Sequence, residues 1–486
     1  MEHDLLKRLV GPVLTALRAL LATTAMPDPI RAALAQLLEA SGLIAVAGVL
    51  AALGILGSRE TTAPAQHGNP VRQKIAVASG VAAVALGLWL LRHPSTQFDD
   101  LFARWDHLAF AGLVGLALTT LPAAQRKWCL AAVSLGMLLQ YAGLVAVGLV
   151  GGFTVIGVAL LHTRIRSNLR LTIVLQVALA VAVYGITFWL RRRDFTTAAR
   201  LQGLLTFWLL RHISLIVSAL QTGPPALADC AAFIAFYPGA MGWLGAPEVY
   251  GEFARRNLVR PATVNHRKAA RRVAEGVLLF AAARLVPVSL QRVETSATAL
   301  EAWACGILLF VKTALGGMGA WRWVEGTALF YGVRMRVNFG GLLSCRNPSE
   351  LWWAWRGTLT NWLVQHIYAP LGANRRHQSL NIVAVFTASF LWHALGVPFL
   401  TTDFRLGQVT ALALWVGVNG TAVIAHVNAD RLGLLKAPGA IPACVRVAVK
   451  IVLIWALGSL TPILLHYQGA AVERLPNLLR LLLGLR

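Results

Sequence analysis

Charged side chains are scarce in this chain of 486 residues, because Asp, Glu, Lys and Arg make up only 13% of it. An ordinary soluble domain has about 25%. Residues of the set AVILMFWYC make up 57%, and the mean hydropathy is +0.64. A soluble protein of this composition would have too little polar surface to cover itself. The scarcity of charge therefore excludes a soluble globular enzyme, a disordered chain and a fibrous chain, and it predicts a polytopic membrane protein.

Acidic residues are scarcer than basic ones, since 20 Asp and Glu stand against 44 Lys and Arg, a net charge of +24. The basic residues lie in short loops between apolar stretches, where the positive-inside rule accounts for them. No nucleic-acid-binding motif accompanies the charge, so we expect no nucleic-acid partner. The chain has only five cysteines and no CxxC pair, which predicts neither a disulfide framework nor a zinc site. A metal-binding HExxH motif is also missing from the sequence.

Long apolar stretches predict an all-α fold of roughly 11–13 transmembrane or re-entrant helices, because about 20 apolar residues span a bilayer. The longest, Trp128–Leu161, is expected to hold two short spans broken near Gly151-Gly152. Less apolar spans are expected at 296–312, 318–334 and 351–371, among others. The stretches free of Asp, Glu, Lys and Arg are Ile75–Leu91, Leu108–Gln125, Trp128–Leu161, Leu171–Leu190, Gln378–Thr402, Gln408–Asn428 and Ile451–Val472.

Four segments follow from this pattern. Residues 1–40 carry an amphipathic stripe that predicts an interfacial helix, and Arg18 interrupts the apolar core that a signal peptide would need. N-terminal transmembrane helices are expected over 41–200, a functional core over 201–397 and C-terminal transmembrane helices over 398–486. Two basic clusters, Arg191–Arg193 and residues 255–272, are expected to face the cytoplasm; the second also suits an anionic cytosolic substrate.

The core contains polar residues that are costly at membrane depth and are therefore functional candidates. Arg211 and His212 lie in the middle of one apolar run. The segment Phe236–Pro247 has two prolines and three glycines, so it cannot form a straight helix. Such broken backbone is tolerated where it is buried in protein or lines a cavity; a kinked structural span is the alternative.

Asn347-Pro348-Ser349-Glu350 has the residue types of a helix start, with Asn347 as N-cap and Glu350 at the third position. A tryptophan-rich helix is expected to run from there through Trp362. At 3.6 residues per turn, Trp355, Trp362 and His366 come close to one face, and Arg356 points about 100° away from Trp355. A tryptophan belt at the membrane interface is the simpler explanation of this composition.

His393 is the only titratable residue in Gln378–Thr402. A lone histidine on an apolar helix is usually a satisfied core residue. Alternatively, a neutral imidazole in such surroundings can take a proton from a hydroxyl.

Six blocks, taken together, resemble the membrane-bound O-acyltransferase family, above all its bacterial branch of alginate O-acetylation and teichoic-acid D-alanylation membrane proteins. Their order and the final Trp-His pair carry the resemblance, which covers about 201–397. The blocks are Arg211-His212-Ile213-Ser214, Phe236-Tyr237-Pro238-Gly239 to Glu252-Phe253, Gly332-Val333-Arg334 to Asn338-Phe339, Glu350-Leu351-Trp352 to Trp362, Tyr368-Ala369-Pro370-Leu371-Gly372 and Leu391-Trp392-His393.

The resemblance implies a helical core around a central tunnel, in which an acyl donor meets an acceptor at a catalytic histidine, here His393. The bacterial branch usually has a second histidine, and eukaryotic relatives an asparagine, where this chain has Arg356. Arginine stays protonated and cannot act as a base, but it can hold a phosphate or carboxylate. Asn361 or His366 is the alternative second polar group.

The leading hypothesis is an O-acyltransferase of the bacterial inner membrane that uses acyl-CoA, expected to be acetyl-CoA, as co-substrate. No cofactor or metal is expected to be bound. The acceptor would be a hydroxyl of a cell-surface polysaccharide, a lipid or a partner protein such as an extracytoplasmic SGNH-type acyltransferase. A transporter or flippase, for which the sequence lacks a visible internal repeat, and a non-catalytic scaffold are the alternatives. The residues expected to attract the CoA phosphates are Arg255, Arg256, Arg267, Lys268, Arg271 and Arg272.

Overall fold

The computed structural model describes residues 78–83, 105–118, 121–163, 168–236, 248–259, 266–396, 398, 406–432, 443–466 and 472–485. Within these ranges the regular structure is helical and no strand occurs. The predicted N-terminal interfacial helix, residues 237–247 of the predicted broken segment, and Val397 lie outside the described residues.

We number the helices in chain order. They are α1 Trp105–Leu118, α2 Ala123–His162, α3 Leu169–Arg191, α4 Phe195–Thr222, α5 Leu227–Ala235, α6 Tyr250–Asn257, α7 His266–Arg284, α8 Leu290–Glu294, α9 Ala299–Phe330, α10 Pro348–Trp355, α11 Gly357–Leu363, α12 Gln378–Ala394, α13 Leu406–Arg431, α14 Ala443–His466 and α15 Leu475–Leu482.

Six helices of the described part are long and apolar enough to cross a membrane: α2 from Gly143 onward, α3, α4, α9, α13 and most of α14. The lipid-facing character is clearest on α3, where Val174 and Val181 are 61% and 65% exposed. Other predicted spans are shorter, such as α12 with 17 residues, or lie outside the described ranges. The estimate of 11–13 spans for the whole chain remains a prediction.

Three predicted boundaries were wrong. The break in the long apolar stretch lies at Gly143, whose φ of 82° and ψ of 167° interrupt α2, and not at Gly151-Gly152; glycine adopts such a positive φ without a steric penalty. The separate spans expected at 296–312 and 318–334 are one helix of 32 residues, α9. The span expected to reach Thr402 ends as a helix at Ala394, followed by a turn at Leu395 and Gly396.

Small residues explain why α9 stays continuous through its glycines. α7 packs along α9 at close backbone contact. A Cβ atom added to Gly276 of α7 would lie 2.7 Å from the Gly319 carbonyl oxygen, and one added to Gly326 would lie 2.8 Å from the Ala269 carbonyl oxygen. Membrane helices approach closely where such small residues face each other. The glycines of α9 therefore serve helix packing rather than a break.

The candidate site lies where α4, α11 and α12 meet. α4 begins at an N-cap, because the Asp194 side chain accepts a hydrogen bond from the Thr197 amide at 3.0 Å, as a short acidic side chain does at a helix start. Buried apolar side chains of the three helices form one cluster, consisting of Leu210, Leu359, Trp362, Leu363 and Val385.

Candidate active site

His393 lies in the last turn of α12, and its ring has a defined orientation. Its Nδ1 atom is 2.7 Å from the carbonyl oxygen of Ser389, one turn earlier. A carbonyl oxygen can only accept, so Nδ1 carries the proton of the neutral ring and Nε2 carries the lone pair. The Ser389 hydroxyl lies 3.5 Å from the same Nδ1 atom. This arrangement leaves Nε2 as the atom that can take up a proton.

Aromatic rings surround the imidazole. Trp392 and Trp415 meet it edge-to-face, with ring centroids 4.5 Å and 5.1 Å away. Trp352 of α10 lies behind Trp415 at 6.0 Å and packs on Phe386 at 4.5 Å. Such walls fix the ring and reduce the access of water to it.

The chain is tied to α4 on both sides of His393, at Trp392 and at Leu395. The Trp392 indole donates a hydrogen bond to the carbonyl oxygen of Thr206 at 3.0 Å. The side-chain amide of Gln202 donates one to the carbonyl oxygen of Leu395 at 3.1 Å. Gln202 is only 3% exposed. Gln202 was not among the predicted site residues, although a glutamine inside an apolar run is itself a signal.

Arg356 lies at a break between α10 and α11, with φ of −147° and ψ of 65°. The continuous helix predicted through Trp362 is therefore wrong. Two contacts from an earlier segment explain the break: a Cβ atom at Gly357 would lie 2.8 Å from the Val337 carbonyl oxygen, and the Thr358 amide donates to the Asn338 side chain at 3.3 Å. The Thr360 hydroxyl donates to the Trp352 carbonyl oxygen at 3.0 Å, which satisfies an acceptor that the break exposes.

The break also separates the tryptophans that were predicted to share a face. Trp355 packs on Phe310 and Phe339 with centroids 6.4 Å and 5.7 Å away. Trp362 points to α4 instead, where its indole donates to the Leu210 carbonyl oxygen at 2.9 Å. The predicted helix start, by contrast, is confirmed: the Asn347 side chain accepts from the Glu350 amide at 2.9 Å, and the Glu350 carboxylate accepts from the Arg346 amide at 2.7 Å.

Of the three second-position candidates, Arg356 carries a permanent positive charge and lies at the helix break. Asn361 is buried at 4% exposure on α11. His366 stacks on Trp362 at 4.5 Å, and its Nδ1 atom lies 2.9 Å from the Trp362 carbonyl oxygen. Among the described residues, no hydrogen bond or ring contact joins Asn361 or His366 to His393. Arg356 therefore stays the candidate for the second position, and neither Asn361 nor His366 is joined to His393 by these contacts.

The segment that causes the break is held by α6 and the residues just before it. Glu248 is 3% exposed; it pairs with Arg256 and accepts from the Arg336 amide at 2.9 Å. The Asn257 side chain bonds both backbone groups of Arg334, at 2.8 Å and 3.2 Å. The sequence analysis named neither Glu248 nor Asn257 as a candidate, because their partners lie some 80 residues later in the chain.

The two polar residues inside α4 have structural partners. Arg211 donates to carbonyl oxygens at the end of α5, including that of Ile234 at 3.3 Å, which suits a cation at a helix C-terminus. His212 Nε2 lies 2.8 Å from the Gln176 side-chain oxygen, and the Gln176 amide donates to the Gly157 carbonyl oxygen at 2.9 Å. Both residues link neighbouring helices.

The basic segment 255–272 is partly neutralised. Arg271 and Arg272 pair with Glu275 at 3.0 Å and 2.6 Å, and Arg256 pairs with Glu248. Arg255, Arg267 and Lys268 are exposed. α6 packs chiefly against α4 and α5, and α7 against α9, rather than against α12. Three of the six residues predicted to attract CoA phosphates thus already have a carboxylate partner.

Comparison with known proteins identifies a family. The sequence model of the membrane-bound O-acyltransferase family matches residues 171–416, about half of the chain. A peptidoglycan O-acetyltransferase from Helicobacter pylori is 27% identical over 109 residues, which is 22% of this chain and 21% of that protein. A probable alginate O-acetylase from Pseudomonas syringae pv. tomato is 25% identical over 229 residues, 44% of this chain and 43% of that protein. A probable alginate O-acetylase from Azotobacter vinelandii is 25% identical over 214 residues, 40% of this chain and 41% of that protein.

The matched segments thus span less than half the length of these relatives. The family match contains α3, α4, the break at Arg356 and His393, and the apolar helices agree with an integral membrane protein. The predicted resemblance is confirmed: this chain belongs to the membrane-bound O-acyltransferase family.

Proposed function

We propose that this protein is an O-acyltransferase that moves an acyl group, acetyl in the first instance, from acyl-CoA to an acceptor hydroxyl, with His393 as the general base. The observation that carries the proposal is the ring orientation of His393. Its Nδ1–H is fixed on the Ser389 carbonyl oxygen, so Nε2 is available to an acceptor hydroxyl. The names of the relatives support an acetyl group as the cargo.

In the proposed reaction, His393 Nε2 takes the proton of the acceptor hydroxyl while the hydroxyl oxygen attacks the thioester carbonyl carbon. The C–S bond then breaks, and the leaving thiolate takes the proton from the imidazolium to give free CoA. The guanidinium of Arg356 would hold an anionic group of a substrate through its two parallel N–H donors. Trp392 and Trp415 would keep water from competing with the acceptor.

The acceptor is proposed to be a hydroxyl of a cell-surface polysaccharide, a lipid or a partner protein, reached from the bacterial inner membrane. The names of the relatives point to peptidoglycan and alginate for those proteins. An extracytoplasmic SGNH-type acyltransferase is the partner we propose if the first acceptor is a protein serine. The exposed cations Arg255, Arg267 and Lys268 remain the candidates for attracting CoA phosphates.

The test compares two histidines with the same local geometry. His393→Gln should lower acetyl transfer from acetyl-CoA by at least about 100-fold, because general-base catalysis contributes about 10²–10⁴. His366→Gln is the matched control, since His366 also bonds the carbonyl oxygen one turn earlier through Nδ1. This control should keep activity within a few-fold of the wild type. Purified protein in nanodiscs, labelled acetyl-CoA and isolated cell-envelope glycan would serve for the measurement.

The outcomes separate the hypotheses. Near wild-type transfer by His393→Gln would eliminate His393 as the base. A loss confined to His366→Gln would move the role to that residue. Wild-type protein without any hydrolysis or transfer of acetyl-CoA would favour a transporter or a scaffold.

A further inference from the structure

An open cleft of about 910 Å³ lies beside the helix break at Arg356. Its floor includes Ala354 and Gly357, the near neighbours of Arg356 on the two sides of the break. Its wall includes Arg336 and Val337, the segment that produces the break. The cleft therefore reaches the backbone that carries Arg356, the charged candidate for the second position of the site.

The chemistry of the cleft is polar but electrically balanced. Among the described residues that line it, Arg336 and Glu350 are the only ones with a fixed charge, and they cancel. The Arg336 guanidinium is also held by Glu252 at 2.9 Å. The remaining polar lining includes Ser344, Asn347 and His426. A site for the several phosphates of CoA would need an excess of cations, which this lining does not provide.

Trp353 gives the cleft an aromatic platform. It is 41% exposed, although indole rings bury much apolar area when a fold permits it. The Arg336 guanidinium lies 5.9 Å from its ring centroid, a cation–π contact that holds the ring in place. An exposed indole next to hydroxyl, amide and imidazole groups suits a pyranose sugar. The C–H face of the sugar can pack on the indole ring, while the sugar hydroxyls can bond the neighbouring polar groups.

We propose that this cleft binds the acceptor as a neutral sugar chain, with Trp353 as the stacking platform, and that the acceptor approaches Arg356 and His393 from this side. The identification of the sugar chain as the acceptor rests on the proposed function. The binding of a sugar chain to the cleft is argued from the lining residues alone and does not depend on that function.

The experiment measures protection of a cysteine in the cleft, so that binding is observed without turnover. Ser344 is exposed in the cleft, and Ser344→Cys would be made in full-length protein from which the five native cysteines have been removed. Chitotetraose is the neutral probe and acetyl-CoA the anionic one. At ten times its half-protecting concentration, chitotetraose should slow thiol labelling about tenfold by simple occupancy. Acetyl-CoA should leave the rate unchanged.

Two controls make the result specific. Val259, 72% exposed and outside the cleft, gives a control cysteine, Val259→Cys, whose labelling chitotetraose should not change. Adding Trp353→Ala to Ser344→Cys should abolish protection and Trp353→Tyr should retain part of it, whereas Trp128→Ala, at a tryptophan that is 48% exposed elsewhere, should retain it fully. The His393→Gln variant should also be protected, because it is altered only in the proposed chemistry.

Three results would overturn the inference: no protection by chitotetraose, protection by acetyl-CoA in its place, or undiminished protection in Trp353→Ala. Failure of acetyl transfer with intact protection would instead count against the proposed function alone.

Discussion

Gln202 offers a direct test of whether the end of α12 must be held against α4 for activity. The Gln202 amide donates to the Leu395 carbonyl oxygen at 3.1 Å, two residues beyond His393. Gln202→Leu puts a good helix former of similar size, without a branch at Cβ, in place of glutamine and removes the donor. A backbone acceptor left without its partner costs about 1–3 kcal/mol. This bond is only partly buried, so we take the lower part of that range, about 1–2 kcal/mol.

If that free energy is lost in the transition state, kcat falls by about 5- to 30-fold at 1.36 kcal/mol per factor of ten. KM should change little, because Gln202 acts through the position of His393 and not through substrate. The assay is acetyl transfer by purified protein in nanodiscs, with thermal unfolding measured on the same samples.

Gln176→Leu is the matched control. Gln176 also bonds a backbone carbonyl oxygen, that of Gly157 at 2.9 Å, and this bond is fully buried; it also accepts from His212. The control should therefore lose more thermal stability than Gln202→Leu and yet keep its kcat. A Gln202→Leu variant with a lowered Tm and a wild-type kcat would refute the idea that the Gln202–Leu395 hydrogen bond positions His393, because the bond would then serve stability only.

Three further predictions follow from the break and the basic segment. Arg356→Lys should raise KM more than it lowers kcat, because lysine keeps the positive charge but lacks the paired N–H donors of the planar guanidinium. If Arg356→Lys and Arg356→His both have the kinetic constants of wild type, the role of Arg356 is structural. Gly357→Ala should lower Tm and activity, since its Cβ would lie 2.8 Å from the Val337 carbonyl oxygen and overpacking costs about 1–3 kcal/mol; Gly417→Ala, with open space around it, should match wild type. Val259→Cys should resist membrane-impermeant thiol reagents in intact cells and react after lysis; ready labelling in intact cells would place this segment outside the cytoplasm.

Local signals were sufficient for features whose causes are local. The helix start at Asn347 depends on side chains within four residues of each other, and the structure has those hydrogen bonds. The isolation of His393 in an apolar helix is also a local property. Its proposed role came from the resemblance, since the same spacing describes an ordinary core histidine.

Features with distant causes could not be predicted in this way. Which glycine interrupts α2 depends on packing: the Gly151-Gly152 pair has more conformational freedom in sequence terms, yet the positive φ falls at Gly143. The break at Arg356 depends on the Val337 carbonyl oxygen and the Asn338 side chain, some 20 residues earlier. The two hydrogen bonds that hold the end of α12 against α4 come from Gln202 and Thr206, nearly 200 residues earlier.

The break changes what a substitution at position 356 means. On a continuous helix, the direction of the side chain would follow from its place on a face; at the break it follows from the φ and ψ of Arg356 itself, which the contacts at Gly357 and Thr358 impose. Arginine does not exchange its proton at ordinary pH, whereas His393 and His366 both keep Nε2 as the basic nitrogen, because each donates through Nδ1 to the carbonyl oxygen one turn earlier. In the proposed mechanism one histidine takes and returns the proton, so the His393→Gln and His366→Gln variants, rather than any change at Arg356, decide which histidine is the base.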